Sequence, residues 1–225
     1  MDKRIIRKLY DILLDEYGRQ GWWPVTRRRG GDPEYLGGPR DAGERFEVAA
    51  GAVLTQNTSW RNAARAVSAL SAEGLLDPAR LAAEPRERVA ALIRPSGYYN
   101  QKSRRLGILA RYFVSLGGEK PTREGLLSLE GVGPETADSI LLYAFDEPFF
   151  VVDAYTKRVL FRLGVIWGNE SYDRIRGLFE DNLEGSPEVY NEYHALVVEH
   201  CKRRCMRTPE CGGCPLEQRC AFPRR

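Results

Sequence analysis

Apolar residues recur every three or four positions along almost the whole chain, and no stretch convincingly alternates apolar and polar residues. Because this spacing places apolar side chains on one face of a helix, it predicts an all-α fold. The predicted helices span 5–17, 46–54, 60–70, 86–93, 101–116, 123–129, 134–143, 154–163, 172–183 and 188–200. The single β-like run, residues 149–152, is short enough to be a buried connector.

Residues 19–43 interrupt this pattern, because Gly, Pro and Arg are frequent there and predict a long loop. Long loops in compact domains are more often functional or disordered than neutral. The loop contains Trp22-Trp23-Pro24, and two adjacent tryptophans followed by proline are difficult to bury together. It also contains Arg27-Arg28-Arg29, which we interpret as a phosphate contact rather than a solvated run, because the tryptophans lie beside it.

The composition is that of an ordinary globular protein. The 225 residues are 43% hydrophobic and 29% charged, which suits one large domain or two small interlocked ones. No apolar run approaches the ~20 residues of a membrane span, and no signal peptide is recognisable, so we expect a cytoplasmic protein. The net charge of +3 does not by itself indicate nucleic-acid binding. Residues 201–225, however, contain seven Lys or Arg against two Glu, and such a basic segment can hold phosphates.

All five cysteines lie in the last 25 residues. A disulfide framework is typical of shorter, secreted chains, so this clustering indicates a metal or cluster site. Four of them follow the pattern Cys205-x5-Cys211-x2-Cys214-x5-Cys220. Four thiolates at this spacing suit a [4Fe–4S] cluster, and a structural four-cysteine zinc site is the alternative.

Two further features carry candidate chemistry. Leu129–Gly133 forms a tight turn before a helix that begins at Pro134, and its two glycines would let backbone N–H groups approach a phosphate. A plain turn between two helices is the alternative. Asp153 follows an apolar run at the start of the next predicted helix, where it is either an N-cap or a reactive carboxylate, or both.

These segments resemble those of a known family. LEGVGPETA (129–137) and VVDAYTKRV (151–159) resemble the hairpin and catalytic-aspartate segments of the endonuclease III branch of helix-hairpin-helix DNA glycosylases. GAVLTQNTSW (51–60), GYYNQK (97–102) and the cysteine tail are similar to that branch as well. The resemblance covers roughly residues 46–220. The family's first cysteine gap is usually one residue longer than the gap found here. Cys201 matches no ligand position of the family, and we expect it to be buried without a role in the cluster.

The resemblance implies two interlocked helical domains. A barrel of about six helices with the helix-hairpin-helix would span 44–149, and 1–43 with 150–225 would form a discontinuous domain with the [4Fe–4S] cluster on Cys205, Cys211, Cys214 and Cys220. The active site would lie in the groove between the domains. The expected partner is double-stranded DNA containing a damaged base, with no membrane association and a monomer as the default state.

The resemblance also assigns catalytic roles. Asp153 matches the essential aspartate, whose carboxylate would stabilise positive charge on the deoxyribose as the glycosidic bond breaks. Glu135 stands where bifunctional members carry a lysine nucleophile. Because a carboxylate cannot form an imine with the sugar, we expect a glycosylase without AP-lyase activity. Lys157, one turn beyond Asp153, is expected to face solvent or phosphate rather than to replace the nucleophile.

Trp22, Trp23 and Phe46 are the candidate base-binding residues, with core packing as their alternative. Similar residues mark the endonuclease III-like 3-methyladenine glycosylases, whose flipped, cationic substrate would stack on electron-rich rings. The residues expected to contact DNA are Gln56, Tyr98, Gly131, Val132, Gly133 and Lys157. Gln56 would enter the base stack and Tyr98 would act as a wedge, or they would be only a helix-terminal amide and a packed surface aromatic.

The sequence therefore predicts a monofunctional glycosylase that hydrolyses alkylated purines, chiefly 3-methyladenine, from DNA in base excision repair. One alternative is a glycosylase for damaged or deaminated pyrimidines. Another is a non-catalytic DNA-binding protein that retains the hairpin and the iron–sulfur cluster, or a zinc site in its place.

Overall fold

The structure, a computed structural model, describes residues 4–222, with side chains from residue 5 onward. Arg224 and Arg225 of the basic C-terminal segment lie outside the described residues. Within them the α-helices are α1 (Arg4–Tyr17), α2 (Ala42–Leu54), α3 (Trp60–Ala72), α4 (Pro78–Ala83), α5 (Arg86–Leu92), α6 (Tyr99–Ser115), α7 (Arg123–Leu127), α8 (Pro134–Phe145), α9 (Ala154–Arg162), α10 (Tyr172–Glu180) and α11 (Pro187–Arg203). Short 3₁₀ helices span Arg94–Ser96 and Glu217–Arg219.

The prediction of an all-α fold is confirmed, because every predicted helix has a counterpart in the structure. Helix α4 was missed, since its six residues are too few to show a period and only Leu81 is buried. Two short strands were also missed, β1 (Val25–Thr26) and β2 (Pro33–Glu34), which pair antiparallel. Residues 149–152 form the predicted connector, in which Phe150, Val151 and Val152 are buried.

The described chain divides into two compact units. We call residues 21–147 the hairpin unit, and residues 4–20 with 148–222 the cysteine unit. The sequence-based boundary assigned 21–43 to the same domain as the cysteines, whereas the structure groups these residues with α2 to α8. None of the helices in residues 4–222 is long and apolar enough to cross a membrane.

The hairpin unit is organised around α2, which packs against α3, α6 and α8. A helix surrounded in this way must be apolar on almost every side. Helix α2 meets this requirement with the buried residues Phe46, Val48, Ala49, Ala50, Ala52, Val53 and Leu54. The unit contains seven α-helices and the 3₁₀ helix Arg94–Ser96.

Acidic side chains of α2 attach the preceding loop to the hairpin unit. Glu47 accepts hydrogen bonds from the backbone N–H and the hydroxyl of Thr26, at 2.6 and 2.7 Å. Glu44 forms an ion pair of 2.6 Å with Arg27. Burial would raise the pKa of Glu44, but hydrogen bonds from Arg40 and Arg27 outweigh it and lower that pKa to about 2. The interpretation of Arg27 as a phosphate contact is therefore wrong, because its charge is used within the protein.

In the cysteine unit, α11 packs against α1 and α9. Its core is aromatic, with the ring of Phe150 stacked on Phe179 at a centroid distance of 3.7 Å. Tyr193 packs beside both rings and donates a hydrogen bond of 2.8 Å to the carbonyl of Ile6. This packing joins the 149–152 connector and α10 to α11, and α11 to α1.

Candidate functional site

The turn between α7 and α8 depends on Gly131, which has a positive φ of 81°. A Cβ at this position would also overlap the side chain of Arg105, so glycine is required for two reasons. Gly133 has an unstrained φ of −95°, and nothing lies within 4 Å of where its Cβ would be. It leaves open the N-terminus of α8, where backbone N–H groups and the helix dipole attract phosphate. Val132 is buried, so its side chain anchors the turn and only its backbone is available to a ligand.

Glu135 lies in the first turn of α8 and is exposed. Its carbonyl accepts a hydrogen bond of 2.7 Å from the hydroxyl of Ser139. The structure thus places a carboxylate, and no amine, two residues after the second glycine of the turn.

Gln56 follows the end of α2 and is bound to the same turn. Its amide nitrogen donates to the carbonyl of Gly131 at 2.9 Å and to the hydroxyl of Thr136 at 3.0 Å. Its amide oxygen accepts a hydrogen bond of 2.7 Å from Arg105. The sequence analysis missed Arg105, which leaves no local signal because its partners are tens of residues away along the chain.

Tyr98 is 64% exposed, in contrast to the packed surface aromatic that was its alternative. It caps α6 in the left-handed conformation, at φ 46° and ψ 31°. This conformation costs a residue with a side chain about 1–2 kcal/mol. The fold therefore holds a strained aromatic residue in the solvent, which is typical of a functional position.

Trp22 and Trp23 belong to an aromatic cluster in the hairpin unit. The ring of Tyr143 on α8 lies 6.0 Å from Trp22 and 5.0 Å from Trp23, centroid to centroid. Trp60 meets Trp23 edge to face at 5.4 Å. Trp23 is buried against α2 at Gly51, where a Cβ would lie 3.3 Å from its indole nitrogen. Tyr143 was missed by the sequence analysis, because an aromatic residue inside an apolar helix is indistinguishable from core.

Phe46 differs from the tryptophans with which it was grouped. It is 0% exposed, and its ring packs against Phe113 at a centroid distance of 5.3 Å. In this structure Phe46 has the core-packing role that was its alternative, and it offers no open face for a base.

Asp153 is the N-cap of α9 and is 9% exposed. Its Oδ1 accepts hydrogen bonds from the backbone N–H and hydroxyl of Thr156, at 2.7 and 2.9 Å. Its Oδ2 lies 3.6 Å from Nε2 of His194 on α11. Burial raises the pKa of the Asp153 carboxyl, but His194 and the Thr156 hydrogen bonds outweigh burial and hold the pKa below its usual value. The N-cap role is thus observed through Oδ1, while Oδ2 faces His194.

His194 was missed, because it lies 41 positions from Asp153 within a predicted core helix. Lys157 is exposed one turn after Asp153, as expected for a residue that faces solvent or phosphate.

Cys205, Cys211, Cys214 and Cys220 line one cavity of the cysteine unit, together with Arg162 and His200. Arg162 donates a hydrogen bond of 3.2 Å to the sulfur of Cys205. Interactions with Cys201, His200 and Arg162 outweigh burial and lower the pKa of the Cys205 thiol. Among the residues that the structure describes, no three metal-binding side chains are grouped closely enough to hold a metal ion. The four thiols around one cavity are nevertheless the kind of donor set that iron–sulfur clusters use. Cys201 is buried, as predicted, and its thiol donates to the carbonyl of Tyr155 at 3.7 Å.

The hairpin unit contains a turn that leaves a helix N-terminus open to phosphate and an aromatic cluster, and the cysteine unit contains a buried aspartate whose pKa is held low. These features fit a DNA-repair enzyme of the helix-hairpin-helix class. The family model described as "HhH-GPD superfamily base excision DNA repair protein" matches residues 50–184. The chain belongs to this family, and it is a DNA glycosylase of base excision repair.

The relatives agree with this assignment. A Methanocaldococcus jannaschii protein, named as a DNA repair glycosylase, is 45% identical over 96% of both chains. The endonuclease III of Thermotoga maritima is 33% identical over 80% of this chain and 84% of its own. Among solved structures, the H. pylori 3-methyladenine DNA glycosylase bound to 1,N6-ethenoadenine has a TM-score of 0.71 and 28% identity, covering 89% of this chain and 97% of that one.

Proposed function

We propose that this protein hydrolyses the N-glycosidic bond of alkylated purines in duplex DNA, chiefly 3-methyladenine, and leaves an abasic site without cutting the strand. The observation that carries the proposal is Trp22, a half-buried ring that packs against the buried rings of Trp23 and Tyr143. A 3-methylated adenine is a cationic ring system, and electron-rich rings attract it by about 0.5–2 kcal/mol per good contact. The similarity to a 3-methyladenine DNA glycosylase supports this choice.

Asp153 would stabilise the positive charge that develops on the sugar, because its pKa is held low and its Oδ2 is not used by the cap of α9. Methylation already activates the leaving base, so the reaction needs little acid catalysis. With Glu135 in place of an amine, the protein has no nucleophile there to form an imine. Water is then the group that replaces the base.

The cysteine segment would hold a [4Fe–4S] cluster on Cys205, Cys211, Cys214 and Cys220. When bound, the cluster would order the loop and supply no step of the hydrolysis. The neighbouring basic residues would then be positioned against the DNA backbone; they are Lys202, Arg203, Arg204 and Arg207.

Removal of pyrimidines is the second candidate, because several endonuclease III proteins are 28–34% identical to this chain. The experiment that decides is base release from duplexes carrying 3-methyladenine, 7-methylguanine, uracil or thymine glycol, with half of each sample treated with alkali. Release of 3-methyladenine, with strand breaks only after alkali, is the expected result. Release of pyrimidines instead, or breaks without alkali, would contradict the proposal.

Trp22→Ala is expected to slow 3-methyladenine release about 2- to 30-fold, the equivalent of one lost cation–π contact. Trp167→Ala is the matched control, because Trp167 is 89% exposed and lies in the cysteine unit. The measurement is the single-turnover rate for each variant. Equal rates for wild type and Trp22→Ala would show that Trp22 does not bind the base.

Glu135→Lys is expected to introduce a covalent step that the wild type lacks, because lysine can form an imine at C1′ of the sugar. Borohydride reduction should then trap a protein–DNA adduct with Glu135→Lys and not with the wild type or Glu135→Gln. An adduct with the wild type would show that another amine acts as nucleophile.

A further inference from the structure

Lys102 is a buried lysine that the proposed chemistry does not use. It lies in the first turn of α6 and is 1% exposed. Its Nζ donates hydrogen bonds to the carbonyl of Leu54 at 2.7 Å and to the carbonyl of Ser96 at 2.8 Å. Burial, with a smaller contribution from Arg105, lowers the pKa of Lys102 to about 8, so the ammonium group is retained at neutral pH. A buried charge is expensive unless it is hydrogen-bonded, and Lys102 meets this condition by bridging two carbonyls.

The two carbonyls belong to the segments that carry Gln56 and Tyr98. Leu54 ends α2, and Gln56 follows two residues later. Ser96 ends the 3₁₀ turn, and Tyr98 follows two residues later. Gln56 in turn donates to the carbonyl of Gly131, so the hydrogen bonds of Lys102 and Gln56, linked through the short segment 54–56, connect the turn before Tyr98 to the hairpin.

We propose that Lys102 is a positioning residue, which fixes the exposed Tyr98 at a set distance from the hairpin so that Tyr98 enters the duplex when the hairpin holds the DNA backbone. The inference rests on the proposed function, because it assumes base flipping from duplex DNA. Parting a base pair is costly, and an inserted side chain offsets that cost only if it is held rigidly. The strained left-handed conformation of Tyr98 is consistent with such a rigid support.

The test compares two duplexes that contain 3-methyladenine, one with thymine opposite and one with an abasic-site analogue opposite. In the second duplex the lesion has no partner base, so its extrusion from the helix costs less free energy. Lys102→Met keeps an unbranched side chain, one atom shorter, and removes both hydrogen bonds. We expect a loss of roughly 10- to 100-fold in rate on the paired lesion and a much smaller loss on the unpaired one. Lys120→Met, an exposed lysine paired with Glu147, is the control and should change neither rate.

Tyr98→Ala should reproduce the selective loss, and in that background Lys102→Met should add little. If Lys102→Met does not fold, Lys102→Gln, which keeps an N–H₂ donor, takes its place in the same comparison. Equal losses on the two duplexes, or independent effects of Lys102 and Tyr98, would overturn the inference. A wild type that releases 3-methyladenine from neither duplex would instead reject the proposed function.

Discussion

Asp153→Asn is expected to lower the rate of base release by about 10²–10³-fold without unfolding the protein. Losses of that size follow the removal of one electrostatic group from a transition state. Asparagine keeps the shape of aspartate and remains a good N-cap, so the hydrogen bond from the backbone N–H of Thr156 should survive. What disappears is the negative charge beside the developing cation. Single-turnover rates and the melting temperature of the two proteins measure the two effects.

Asp77→Asn is the matched control for this substitution. Asp77 caps α4 as Asp153 caps α9, and its side chain accepts a hydrogen bond of 2.8 Å from the backbone N–H of Arg80. The same chemical change at Asp77 should therefore leave base release unaffected. If Asp153→Asn kept the wild-type rate, or if it lost activity only through unfolding, Asp153 would be an N-cap and nothing more.

Arg123→Leu is expected to destabilise the protein by about 3–5 kcal/mol, because it breaks a buried ion pair and leaves the charge of Asp138 behind. Asp138 on α8 is 0% exposed, and Arg123 on α7 donates to its two oxygens at 2.6 and 3.2 Å. The pair joins the two helices of the hairpin. For a chain of this size the melting temperature should fall by roughly 6–20 °C, which circular dichroism can follow.

Arg104→Leu provides the comparison for that effect. Arg104 pairs with Glu130 near the same hairpin, but both side chains are more than half exposed, at 57% and 53%. Exposed pairs contribute about 0–1 kcal/mol, so the melting temperature should change little. A similar shift for the two variants would show that burial does not set the strength of the Arg123–Asp138 pair.

The helices and several site residues could be predicted from the sequence because their signals are local. Helical periodicity depends on residues three or four positions apart, and a turn such as that at Gly131 requires a residue type that is visible in the sequence. Asp153 was found at the start of α9 because an N-cap is also a local feature. The resemblance then gave these positions a common function, which the family match confirms at the level of a DNA glycosylase.

The residues that were missed or misjudged depend on contacts that are not local in the sequence. His194, Tyr143 and Arg105 act through partners that are distant along the chain, and such contacts leave no pattern in the sequence. Arg27 looked like a phosphate ligand until the structure placed it against Glu44. Phe46 looked like a base-stacking residue, yet α2 turns it into the core.

The sequence by itself determined that the chain is helical, that a glycine turn precedes α8, that an aspartate begins α9 and that all five cysteines lie near the end. Only the tertiary structure decided which charges form ion pairs inside the protein, which aromatic rings share a cluster, and what surrounds the carboxylate of Asp153. The reason is physical: a helix is stabilised by neighbours within a turn or two, whereas burial and charge pairing depend on which distant segments the packing brings together.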